Sequence, residues 1–311
     1  MIYTSDYKLK YNKYKLKYLK LKSQLGGLLD NNALSDVHQA DKKSNEVVKN
    51  ASNFTTFIPF DKVINMTENN KNRVSRLKIE TIEQLKNLST FQYLREIVLD
   101  SNFNHPLTPG LLPASLRILT FGLSFDQPLV QGVLPDGLKT LTSPYDFNQP
   151  LKEGVLPDSL TRLSLGNFNQ PLVAGVLPTG LKTLIFGGFN QPLAKDVLPT
   201  GLTTLTFRNP VGGKFNQPLT EGIIPASITT LTFSDFFNQP LYPGVLPVGL
   251  ITLTFGDSFN QSLDEGVLPI GLTKLTLGGF FNQLLKVGVL PDSITSLSNL
   301  IAYLGVLLFL R

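Results

Sequence analysis

From Phe103 onward, apolar and polar residues return to the same places every 21 or 22 positions. One copy runs Phe147-Asn148-Gln149-Pro150-Leu151, Gly154-Val155-Leu156-Pro157, then Leu160-Thr161-Arg162-Leu163-Ser164-Leu165-Gly166. Copies begin at Phe103, Phe125, Phe147, Phe168, Phe189, Phe215, Phe237, Phe259 and Phe281, at intervals of 22, 22, 21, 21, 26, 22, 22 and 22 residues. A fixed period of this length is the signature of a solenoid, in which each repeat buries its apolar face against its neighbours.

Counting each copy from its Phe, positions 14, 17 and 19 are apolar, as in Leu116, Leu119 and Phe121. Alternation at 17 and 19 predicts a short strand with one buried face, and stacked copies then make a parallel sheet. The predicted fold is a leucine-rich-repeat-like solenoid with one short strand per coil and little helix. Position 5 supplies a second inward column, and the leading phenylalanines are expected to stack into a spine. Turn chemistry agrees. Pro stands at position 11 in all nine copies, and Gly at position 8 in all but one, where Asp196 replaces it. Asn at position 2 (Asp126 once) and Gln at position 3 (His105 once) read as a buried amide column that satisfies neighbouring turns. Positions 16, 18 and 20 are expected on the exposed strand face, where Thr dominates position 18.

The pattern changes at both ends. Residues 1–27 place Tyr7, Tyr11, Tyr14, Tyr18, Leu21 and Leu25 at alternating steps of four and three, which predicts an amphipathic helix stopped by Gly26-Gly27. Residues 28–53 lack periodicity and read as a flexible linker. Residues 54–102 read as a degenerate N-terminal cap, with Leu94–Leu99 in register with Leu116–Phe121 at a spacing of 22. The nine repeats occupy 103–299. Leu300–Leu310 is an uncharged run of eleven residues that caps the last coil, hangs as an exposed tail, or enters a membrane. It is shorter than the roughly 20 residues a bilayer span needs, so membrane contact is not the expectation.

Charge narrows the partners. Residues 1–27 hold seven lysines and one aspartate, so the overall +5 leaves about −1 for the rest. The array is nearly neutral, and no specific nucleic-acid binding is expected of it. The basic segment has three open readings: a solvated or array-packed helix, a coiled coil with a second chain, or weak docking on an anionic surface. The chain has no cysteine and two histidines. Neither a nucleophile elbow, a phosphate-binding Gly loop nor a metal-spaced His cluster appears, so no enzyme, cofactor or metal is expected.

The motif Phe-Asn-Gln-Pro-Leu-x-x-Gly-x-Leu-Pro-x-Ser-Leu-x-x-Leu-x-Phe-Gly resembles the FNIP repeat, a leucine-rich-repeat relative of slime moulds and giant DNA viruses. The opening Tyr14-Lys15-Leu16-Lys17-Tyr18-Leu19-Lys20-Leu21-Lys22 resembles the leader of many mimivirus-type proteins. Together these resemblances imply a giant-virus protein-interaction scaffold working in the host cytoplasm, with the virion as the alternative compartment. Some relatives carry an F-box ahead of the array, which implies ubiquitin-ligase adaptor work. Here Ile58-Pro59-Phe60-Asp61-Lys62-Val63-Ile64 is the sole echo of one. A structural or membrane-associated viral component is the third reading.

Candidate protein contacts fall where the period breaks and where charge interrupts the strand face. Arg208, Asn209 and Lys214 lie in a segment four residues longer than the usual coil, and insertions in solenoids map to one face. Arg162 and Lys274 stand on the strand face itself. The partner's identity is left open.

Overall fold

The computed structural model describes residues 58–60, 74–88, 91–208 and 212–298. The chain divides into two units, Met1–Thr56 and Phe57–Arg311, and the described residues all belong to the second. The helix expected over 1–27, the linker over 28–53, the tail over 300–311 and Asn209 lie outside the described residues.

The described strands form one 12-stranded parallel sheet whose spatial order is the sequence order. Strands β1 (Ile58–Pro59), β2 (Arg76–Ile79) and β3 (Glu96–Leu99) precede the repeats, with one short helix, α1 (Ile82–Lys86), between β2 and β3. The nine copies then contribute β4 (Ile118–Thr120), β5 (Thr140–Thr142), β6 (Arg162–Leu165), β7 (Thr183–Phe186), β8 (Thr204–Thr206), β9 (Thr230–Thr232), β10 (Thr252–Thr254), β11 (Lys274–Thr276) and β12 (Ser296–Ser298). Thr81 caps α1, its hydroxyl accepting from the Gln84 N–H at 3.3 Å. Leu94–Leu99 packs in the register expected of it: Ile97 pairs with Leu119 and Val98 with Thr120.

The core follows the repeat. Leu116, Leu138, Leu160 and their equivalents at position 14 are fully buried through Leu272, with Ile294 of the last copy partly buried, and Leu163, Leu184 and Leu205 at position 17 are fully buried as well. A buried leucine contributes roughly 2 kcal/mol relative to an exposed one, so nine coils accumulate a large apolar term. Positions 9 and 10, such as Val155 and Leu156, are buried too. The leading phenylalanines stack in an unbroken row, with centroids 6.5 Å apart at Phe103–Phe125 and 6.0 Å at Phe259–Phe281. Position 19 adds a second row where it is Phe, and Phe255 lies 3.8 Å from Phe259. In the second coil Ser143 takes that place, and its buried hydroxyl accepts from the Gly166 N–H at 3.1 Å.

Each coil turns twice by defined chemistry. The N–H of position 9 bonds the carbonyl of position 6, as from Val133 to Val130 at 3.2 Å. Position 8 then sits at φ between +77° and +88° wherever it is Gly. Position 7 keeps negative φ, so this is a type II turn, which requires positive φ at its third residue. Asp196, at φ 67°, is the sole non-glycine with positive φ among the described residues. The carbonyl of Pro at position 11 then accepts from position 14, as Pro113 does from Leu116 at 3.0 Å.

Two expectations are corrected. The amide column is half-buried to exposed rather than buried: Asn148 is exposed and Asn190 intermediate. Position 20 is not on the open face. Gly122, Gly166, Gly256 and Gly278 are buried there, and a Cβ on Gly256 would run into the Ser234 carbonyl of the preceding coil.

Candidate interaction surface

Because position 17 points inward, positions 16 and 18 point outward along every repeat strand. The register sets like on like. Thr204 pairs with Thr230 and Thr230 with Thr252, while Thr206 pairs with Thr232 and Thr232 with Thr254. The result is a grid of hydroxyls, spaced about 4.8 Å between coils and about 6.6 Å along a strand.

Position 15 also lies outside the core, one residue ahead of each strand. Where it is Thr, its hydroxyl is used between coils. Thr161 donates to the Lys139 carbonyl at 3.1 Å, Thr203 to the Lys182 carbonyl at 3.0 Å and Thr273 to the Ile251 carbonyl at 3.2 Å. In earlier coils the same column holds Arg95, Arg117, Lys139 and Lys182. These long side chains lie over the turn of the next coil: Arg95 donates to the Ser115 carbonyl at 2.8 Å, and Lys182 to the Gly201 carbonyl at 3.1 Å. Strand alternation marks positions 16, 18 and 20 as exposed and so misses this column. Its signal in the sequence is three Arg or Lys residues at one repeat position from Arg117 to Lys182.

The four described contact candidates, Arg162, Arg208, Lys214 and Lys274, do not gather in one place, and Asn209 lies outside the described residues. Arg162 and Lys274 are exposed at position 16 of β6 and β11. Five coils separate them, about 24 Å at the parallel-strand spacing. Arg208 and Lys214 lie beyond the C-terminal ends of the strands and are engaged there. Arg208 Nε is 3.3 Å from Asp235 Oδ1, and Lys214 Nζ donates to Asn167 Oδ1 at 3.3 Å. The Arg208–Asp235 contact is an ion pair without hydrogen-bond alignment, so Asp235 Oδ1 is buried with no donor. Burial raises the Asp235 carboxyl above its ordinary value, Arg208 opposes this, and Asp257 on the next coil adds to it. After the insertion the chain re-enters register, the Lys214 N–H donating to the Gly187 carbonyl at 3.2 Å.

Among the described residues no group of three or more His, Asp or Glu could hold a metal ion. A cleft of about 130 Å³ beside α1, lined by Leu85, Leu88, Leu111 and Pro113, is small against the several hundred Å³ of ordinary ligand pockets. No helix among the described residues is long and apolar enough to cross a membrane.

Stacked parallel strands, one per coil around a leucine and phenylalanine core, define a leucine-rich-repeat-like solenoid. Repeat folds of this class are typically interaction scaffolds rather than enzymes. The FNIP Repeat profile matches residues 92–124, 103–146, 125–168, 147–189, 215–258 and 259–298, and the chain belongs to that family. It is similar to CroV588, a circular leucine-rich-repeat protein of a giant virus, with 37% identity, TM-score 0.49, and coverage of 72% of this chain and 40% of that one. It is also similar to YopM from Yersinia enterocolitica WA-314 (19% identity, TM-score 0.37, 67% and 56% covered). A third similarity is to TLR13, solved in complex with ssRNA13 (15% identity, TM-score 0.44, 72% and 32% covered). The chain thus spans less than two thirds of each of these proteins. No curated protein matches it.

Proposed function

We propose that the chain is a non-enzymatic protein-interaction scaffold that receives a partner on its strand face. The observation that carries this reading is the in-register sheet, which aligns the outward residues of successive coils into one continuous, mostly polar surface. Such a surface is preformed and rigid, so a partner binds without ordering the scaffold. The partner belongs among proteins of the host cell, in keeping with the giant-virus resemblance, and the host cytoplasm is the place of action. An adaptor of the F-box type is less favoured. The described residues between 54 and 90 supply strands β1 and β2 and a helix of five residues, all continuous with the array.

The test is affinity capture from host lysate with the full chain and two variants. One carries Thr204→Lys, Thr230→Lys and Thr252→Lys on adjacent strands. The other lacks residues 209–212. Loss of the captured protein with the lysine variant and its retention with the shortened loop is the expected result. Equal capture by the lysine variant, or loss confined to the shortened loop, would overturn the strand face as the binding surface.

A further inference from the structure

Position 15 has a structural solution, and three of the first four copies decline it. Thr at this place bonds the preceding coil through its hydroxyl. Arg117, Lys139 and Lys182 give up that bond and carry charge outward instead, in line with Arg95. Arg162 at position 16 fills the coil where position 15 is Thr161. None of these five forms an ion pair among the described residues. By contrast, Arg76 and Lys78 close by are paired with Glu96 and Asp100 at 2.6 Å each. Asp136 and Asp158 stand on the adjoining turn, leaving the stretch three positive charges in excess.

Three coils beyond Lys182 the same strip turns apolar. Ile251 occupies position 15, and Val248 and Ile270 occupy position 12 of neighbouring coils, with exposures of 47%, 73% and 83%. Position 12 belongs to the same strip, because Arg117 Nη1 donates to the carbonyl of Ala114 at position 12, at 3.0 Å.

We infer that this strip is a docking track for an extended acidic segment of a partner protein, with apolar residues following its carboxylates. This rests on the scaffold reading and names the partner's chemistry. Charge complementarity selects an anionic ligand. From Arg95 to Lys182 is four coil steps, about 19 Å, which an extended peptide covers in about six residues. Ile251 lies about 14 Å further, or about four residues. A nucleic acid fits less well. Base stacking needs aromatic rings, and positions 15, 16 and 18 from Arg95 to Ile251 hold none.

The test uses the purified full chain and fluorescence anisotropy with defined twelve-residue probes. These are a peptide with six Asp/Glu followed by Leu/Val, its reversed order, a neutral version with Asn/Gln in place of Asp/Glu, and a twelve-nucleotide oligothymidine. Arg117→Thr/Lys139→Thr/Lys182→Thr installs the repeat's own residue and is expected to keep the melting temperature. It should weaken one of the two acidic peptides at least tenfold, and the loss should shrink at high salt. Val248→Ser/Ile270→Ser removes the apolar contacts without adding charge and should weaken the same peptide severalfold. Lys8→Gln/Lys10→Gln/Lys13→Gln separates any contribution of the basic N-terminal segment, and should change affinity less than twofold. The inference is overturned if the triple-threonine chain binds within twofold of the original, or if oligothymidine binds tighter than either peptide. If the triple-threonine chain loses the peptide yet still captures its cellular partner, the track is not that partner's site while the scaffold reading stands. Loss of capture on Thr204→Lys/Thr230→Lys/Thr252→Lys reports on the scaffold reading separately.

Discussion

Asn216 Oδ1 accepts two hydrogen bonds from the following coil, from the Asn238 N–H at 2.9 Å and from the Gln239 side-chain amide at 3.0 Å. The same relation links Asn238 to Asn260 and Gln261, so the amides form a ladder through the stack. Asn216→Ala leaves the part-buried Asn238 N–H without an acceptor, at about 1–3 kcal/mol, while the Gln239 amide keeps the Asn216 carbonyl at 3.1 Å. Asn216→Asp keeps the acceptor, as Asp126 does for the Asn148 N–H at 2.9 Å, and should cost much less. Urea denaturation of the two variants checks the ordering. Equal loss in both would mean that the ladder's stabilisation does not come from the accepting oxygen.

Asp196 takes the left-handed backbone that glycine holds in the other eight coils. That conformation costs an L-residue about 1 kcal/mol, somewhat less for Asp than for branched residues. Asp196→Gly should therefore raise stability by up to about 1 kcal/mol, and Gly222→Ala should lower it by at least as much. Thermal or urea midpoints measure both. A destabilised Asp196→Gly variant would show that the carboxylate has a role there beyond the turn.

Asp235 is partly buried and short of a hydrogen-bond donor on Oδ1. Burial raises its folded pKa, so the folded chain holds this proton more tightly than the unfolded one. Its contribution is thus most favourable below the ordinary carboxylate pKa, declines as pH rises through the raised value, and is flat above it. Asp235→Asn removes that decline and should stabilise by about 1 kcal/mol at pH 7. Arg208→Ala, which strips the cation paired with this carboxylate, should destabilise over the same range. Denaturation midpoints followed across the acid range test both signs.

The sequence is most informative where one residue has one physical reason. Glycine at position 8 predicts a turn with positive φ, and Asp196 stands out as the exception from the repeat pattern alone. The phenylalanine row, the Leu columns at 14 and 17 and the register of Leu94–Leu99 all follow from periodicity. What periodicity misses depends on how the chain bends between elements. Alternation from position 17 assigns position 20 to the open face, but the chain turns there, and where it is Gly a Cβ would run into the coil below. The bend before the strand likewise puts positions 15 and 16 outside together, which simple alternation forbids, so it hides the basic column. The fate of Arg208 depends on Asp235, a neighbour 27 residues away that stacking of the next coil brings alongside.

Asp100 should respond to acid with the opposite sign from Asp235. It lies at the turn after β3, where Oδ1 accepts from the Asn102 N–H at 3.0 Å and Oδ2 pairs with Lys78 Nζ at 2.6 Å. The backbone N–H bond first, then the Lys78 bond, hold its carboxyl below the ordinary value. The folded state therefore releases this proton more readily than the unfolded state does. The stabilisation is complete above the ordinary carboxylate pKa and disappears as pH falls through the lowered folded value. Because Lys78 is itself nearly half exposed, the pair is screened, and the whole effect should be about 1 kcal/mol. Asp100→Asn should cost that much at pH 7 and less at pH 2, below the ordinary carboxylate value. The double variant Asp100→Asn/Asp235→Asn should come out near the parent at neutral pH, since the two groups are too far apart along the stack to couple. A profile in which Asp100→Asn is equally destabilising at both pH values would assign its effect to the turn's shape rather than to its charge.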